Sequence, residues 1–125
     1  MSKKQSNIHY STPESEEYFL DEGCYILELN NTPDHSDLSI ARARLEVGCE
    51  TELHSLKDTA ERYVIQQGEG IANIDGVEYS VKVNDVLNIA PDVAQKIGNT
   101  GTIDIIFLII CTPRFEPSCY QKLRS

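Results

Sequence analysis

The chain has 125 residues, of which 11 are Lys or Arg and 20 are Asp or Glu, giving a net charge of −9. A domain of that length buries a core without disulfides or a structural metal. Its acidic surface repels phosphate backbones and anionic lipid, which excludes nucleic acid and membrane as expected partners.

Residues 1–17 hold Lys, Ser, Glu and Pro with little apolar content and read as a flexible N-terminal arm. Residues 18–125 read as one all-β domain. Its first apolar run is 19–29 and its second is 37–47. In the second, Ile40, Arg42 and Arg44 fall on one face and Ala41, Ala43, Leu45 and Val47 on the other. The arginines are expected on a solvated outer face, although the same pair facing inward would suit an anionic ligand. Further runs follow at 61–67, 71–75, 77–83, 85–89 and 103–111. Asn, Asp, Gly and Pro separate them, because Gly and Asn tolerate positive φ and Pro presets the turn. Asp75-Gly76 between two such runs is a hairpin signal. Many short strands without a long helical period mean a sandwich or barrel. Only a short turn near 117–123 interrupts that pattern.

No segment among the first twenty residues has the apolar core of a signal peptide. The longest apolar stretch, 105–111, is seven residues and suits a buried strand rather than a membrane span. The expectation is a soluble, cytoplasmic protein. Cys24, Cys49, Cys111 and Cys119 form neither a C-x-x-C pair nor a zinc-ribbon spacing and are expected as thiols. Cys49, close in sequence to His54, is read as structural.

Two runs carry the functional signal. The first reads Gly48, five residues, His54, one residue, Leu56, four residues, Glu61, six residues, Gly68. The second runs from Asn84-Asp85 through Ala90-Pro91 and Gln95 to Asn99-Thr100-Gly101. Over residues 38–112 these resemble the two motifs of the small single-domain cupins, with Leu56 in place of the second histidine and Gln95 in place of the third. The phrases Glu61-Arg62-Tyr63 and Cys111-Thr112-Pro113-Arg114-Phe115 resemble an uncharacterised subgroup in which leucine and glutamine are usual at those positions. The resemblance implies a double-stranded β-helix, or jelly-roll barrel, and a homodimer. For function it is weak, since that scaffold carries enzymes, storage proteins and ligand sensors alike.

The resemblance places His54, Glu61 and Gln95 at metal-ligand positions, converging from three strands. One imidazole, one carboxylate and an amide oxygen can hold a divalent transition metal such as Mn, Fe, Ni or Zn, more weakly than three histidines do. The plainer reading makes the same residues leftover polar groups paired by hydrogen bonds. Both stand on the sequence. Leu56 puts a hydrophobic wall where a ligand stood, and Tyr63 shares the face of Glu61 as a ligand contact or a core aromatic. Arg114 is expected to anchor the C-terminal segment, and His9 and His35 have no partners at ligand spacing. Gly68 and Gly70 mark a turn, not a phosphate loop, because no helix follows.

The leading expectation is a small cupin binding a small polar ligand in its barrel, with Leu56, Tyr63 and Gln95 as contacts. A weakly held divalent metal on His54, Glu61 and Gln95 is its finer form. One alternative is a metal-dependent isomerase or oxygenase acting on a sugar-like or carbonyl substrate. The other is a non-catalytic regulatory or interaction module.

Overall fold

Two antiparallel sheets enclose the core. The structure is a computed structural model and describes residues 8–20 and 23–124. The first seven residues of the expected arm, and 21 and 22 inside the 19–29 run, lie outside the described residues. The strands are β1 Tyr18–Leu20, β2 Cys24–Asn30, β3 Ser39–Leu45, β4 His54–Leu56, β5 Ala60–Gln67 and β6 Gly70–Ile74. They continue with β7 Val77–Val81, β8 Val86–Ile89, β9 Gln95–Asn99, β10 Ile105–Thr112 and β11 Tyr120–Lys122. The larger sheet has the order β1-β2-β3-β10-β5-β8 and the smaller β11-β4-β9-β6-β7. Such interleaving of distant segments is the jelly roll expected from the motifs.

Most expected runs return within two residues of their bounds. The 19–29 run is corrected: it is two strands, β1 and β2, paired antiparallel with Leu20 opposite Cys24. Gly23, at φ +110, makes the reversal. Asp75 and Gly76 have φ +52 and +82, the two positive angles of a hairpin turn that pairs Ile74 with Val77. Near 117–123 there is more than a turn: a 3-10 turn at Pro117–Cys119 leads into β11, which covers the edge of β4. β11 is too short and too polar to announce itself by period.

Register explains where the core is full and where it is hollow. One row across the larger sheet places Ile26, Ala43, Phe107 and Ile65 side by side on the inner face. These pack against Ala72, Val81 and Ile97 of the smaller sheet. The next row is Glu28, Ala41, Ile109 and Tyr63, and the one after it Ser39, Cys111 and Glu61. Small and polar residues replace large apolar ones there, so the barrel is filled at one end and open at the other.

Arg42 and Arg44 face outward, as expected, yet they are paired rather than merely solvated. Arg42 grips Glu14 through two bonds of 2.8 and 2.7 Å. Arg44 donates to Glu17 at 2.7 Å and to Asp104 at 3.2 Å. The described part of the arm is therefore laid along β3. Arg114 holds Asn31 at 2.9 Å and Glu116 at 2.8 Å, joining the C-terminal segment to the end of β2.

Candidate functional site

The hollow end is a partly open cavity of about 330 Å³. Its floor comes from the motif residues His54, Leu56, Glu61 and Tyr63, its sides from β2, β3 and β10, and its rim from Tyr18 and Phe115 to Tyr120. The volume is in the range of small-molecule sites. The hollow follows from which residues meet across the sheet: Ala43 lies between Ile26 and Phe107, whereas Ala41 lies between Glu28 and Ile109, and Ser39 is opposite Cys111.

The expected polar residues do converge. His54 on β4 lies directly opposite Gln95 on β9, so their side chains share a face. Gln95 is 1% exposed and committed at both ends of its amide. Its nitrogen donates to Glu61 Oε1, and its oxygen accepts from the Tyr63 hydroxyl, each at 2.5 Å. The other Glu61 oxygen faces the Cys111 thiol at 3.8 Å. Burial, reinforced by Glu61, pushes that thiol far up, so Cys111 is an inert packing group.

His54 is oriented by different partners. Its Nδ1 lies 2.7 Å from the Glu52 carbonyl oxygen, and because a carbonyl can only accept, Nδ1 carries the proton. The ring stacks on Tyr120, with centroids 4.9 Å apart and planes 16° from parallel. Tyr120 in turn donates to Glu52 at 2.6 Å. This leaves Nε2 as the unprotonated nitrogen of a ring held at one face by Tyr120 and at its Nδ1 edge by Glu52. Leu56 lines the same floor and is paired with Tyr120 across the β4–β11 edge.

Among the lining residues that sequence reasoning missed are Glu28, Glu52 and Tyr120. Glu28 was detectable, since Cys24, Ile26 and Glu28 fall on one face of β2 by period two, and an acid stands where an apolar residue is due. Burial pushes the Glu28 carboxyl above the ordinary range, opposed more weakly by Asn31 and by the Arg114 charge. Its Oε2 is buried and has no hydrogen-bond partner. Glu52 and Tyr120 follow no period and are set in place by β11.

A tightly held metal ion does not fit this donor set. Stable transition-metal sites use three or four protein donors. Among the described residues no group of three or more His, Cys, Asp or Glu is placed to hold an ion. The Gln95 amide, the third expected donor, already joins Glu61 to Tyr63.

The interleaved sheets, together with the motif residues gathered at the hollow end, give the chain the cupin fold, and by sequence it belongs to one family with an uncharacterised archaeal protein. An uncharacterised protein of Methanocaldococcus jannaschii, MJ1618, is 30% identical over 101 residues, which is 79% of this chain and 81% of that protein. No family model matches the chain. Among solved structures it is similar to a predicted oxalate decarboxylase of Thermotoga maritima, with a TM-score of 0.75 and 24% identity over 82% of this chain and 98% of that one. KdgF of Halomonas gives a TM-score of 0.74 at 12% identity, over 88% of this chain and 98% of that one. Pac13 of Streptomyces, a nucleoside dehydratase, gives 0.73 at 14% identity, over 93% and 92%. At those identities the likeness is one of fold. No helix among the described residues is long and apolar enough to cross a membrane.

Proposed function

We propose that this cupin binds a small molecule in the cavity at the hollow end of its barrel. The observation that carries the reading is the 330 Å³ cavity lined by His54, Leu56, Glu61 and Tyr63, the residues of its family motifs. A scaffold-only module would have its polar cluster sealed by side chains; here the cluster lies beneath an opening. His54 supplies an oriented imidazole, Glu61 and Tyr63 a carboxyl and a phenol, and Leu56 the apolar wall. Gln95 acts beneath them, holding Glu61 and Tyr63 in place.

In its finer form the reading has a divalent ion weakly held by His54 and Glu61. Such an ion must displace the Gln95 amide from Glu61 or share that carboxyl with it, which keeps affinity low. A catalytic form rests on the fixed His54 ring, whose Nε2 is suited to take a proton from a sugar-like or carbonyl substrate. The open edge of β1, with Tyr18 and Phe19 46% and 56% exposed, supports pairing of two copies. Light scattering then gives twice the 14.0 kDa chain mass, and a monomer mass removes that pairing.

The test is a thermal-shift screen of neutral and charged metabolites on untagged protein, repeated on His54→Ala. Elemental analysis of both samples accompanies it. Compounds that stabilise the wild type and lose their effect in His54→Ala support the cavity as the site. Compounds that act equally on both, or none at all, reject it. Metal in the wild type that vanishes in the variant selects the metal-assisted form.

A further inference from the structure

The charge pattern of the cavity goes further than its volume. Three carboxyl groups line it, from Glu28, Glu52 and Glu61, and its lining contains neither Lys nor Arg. The nearby cations are bound to other groups, and of them Arg114 acts on Glu28 only as a weak charge. Arg114 is bound to Asn31 and Glu116, Lys122 lies 3.6 Å from Glu52 with its side chain 75% exposed, and Arg42 and Arg44 are on the outer face of β3. An anionic ligand entering here gives up its water to meet like charge, with no guanidinium or ammonium to receive it.

Glu28 stands apart from the other two carboxyls. Glu52 accepts from Tyr120 and is neighbour to Lys122, and Glu61 accepts from Gln95. The Glu28 Oε2 is buried at the cavity wall without a hydrogen-bond partner. The Asn31 amide and the Arg114 charge act on this carboxyl, but burial outweighs both, and Oε2 itself has no donor. Beside it in the same row is Ala41, and two residues before it on the same face is Ile26, both apolar. Four aromatic rings, Tyr18, Tyr63, Phe115 and Tyr120, complete the lining. Carboxylates set among aromatic rings are the chemistry that receives an organic ammonium group.

We infer that the ligand of this cavity is a small organic amine, bound as its cation, with Glu28 as counter-ion and the apolar and aromatic walls around its body. The inference rests on the reading of the cavity as a ligand site and assigns that site its ligand class. The upward push that burial gives the Glu28 carboxyl agrees with it, because a bound ammonium restores the charged form.

Three probes of one shape and different charge decide it: phenethylamine, 2-phenylethanol and 3-phenylpropionate, titrated calorimetrically at neutral pH into the full chain and into Glu28→Gln. The amine is expected to bind at least about tenfold more tightly than the alcohol, with the carboxylate weakest. In Glu28→Gln the amine falls to the level of the alcohol, whose own binding changes little. Should the alcohol or the carboxylate equal the amine, or the amine keep its lead in Glu28→Gln, the cationic assignment is wrong while the cavity reading stands. Failure of all three probes to bind the wild type overturns the amine assignment, and the metabolite screen on wild type and His54→Ala then decides the cavity reading. If Glu28→Gln does not fold, the wild-type ranking decides alone.

Discussion

Gln95 serves as a structural link at the position where the sequence resemblance expects a metal ligand. An imidazole there would offer one nitrogen inward; the amide offers a donor and an acceptor at once, and both are used, toward Glu61 and Tyr63. Gln95→Ala removes both bonds and opens a cavity beneath the site. It is expected to cost about 2–4 kcal/mol, measured by urea unfolding. Gln95→Leu, which refills the volume, recovers only part of that loss if the bonds matter as much as the packing. Leu56 makes the complementary point, since it is buried and faces the Tyr120 position across the sheet. Leu56→His combined with Gln95→His returns imidazoles to both positions and frees Glu61. The double variant is therefore expected to retain near-stoichiometric transition metal by elemental analysis, well above the wild type. Unchanged metal content would mean that the strands no longer hold the ligand geometry.

At the scale of elements, β1 depends on the arm that precedes it. Glu17 reaches both Arg42 and Arg44, and the next residue, Tyr18, opens β1 at the cavity rim. The guanidinium of Arg44 holds the Glu17 carboxyl below its ordinary range, and Arg42 does the same to Glu14. Carboxyls lowered by folding contribute stability above their unfolded value, about 4.3, and lose it as pH falls through the lowered value. Amide protection factors in β1, taken relative to the intrinsic exchange rate, should therefore fall on acidification below about pH 4 and with added salt, while β10, paired on both sides, stays protected. Glu17→Ala is expected to give the same β1 behaviour at neutral pH, with a loss of about 1 kcal/mol. Equal exchange of β1 in wild type and variant would show that the hairpin holds without the arm. The arginines were readable as an outer face from the alternation of residues 37–47. Their acidic partners were not, because Glu14 and Glu17 stand in a segment without any periodicity and are 28 and 27 residues away in sequence. The same limit hid β11, whose pairing with β4 joins Lys122 to His54 across most of the domain.

Across the whole molecule, the two ends of the barrel divide stability from binding. The jelly roll and the convergence of His54, Glu61 and Gln95 were legible because motif spacing encodes strand register. The hollow was not, since it depends on which inward residues meet across strands that are distant in sequence. Ala41 and Ala43 show this best. They are two residues apart on β3 and face the same way, so the sequence treats them alike. Ala43 lies between Ile26 and Phe107 in the filled row and is 0% exposed. Ala41 lies between Glu28 and Ile109 at the cavity wall. Replacing each with leucine separates their roles. Ala43→Leu overpacks a dense core and is expected to cost about 1–3 kcal/mol. Ala41→Leu grows into empty space, so its stability should stay within about 1 kcal/mol of the wild type, while the added side chain fills part of the cavity and abolishes ligand binding. Urea unfolding and calorimetric titration on the two variants give the comparison. If Ala41→Leu destabilises the protein as much as Ala43→Leu, that end of the barrel is packed in solution, and the cavity is no place for a ligand.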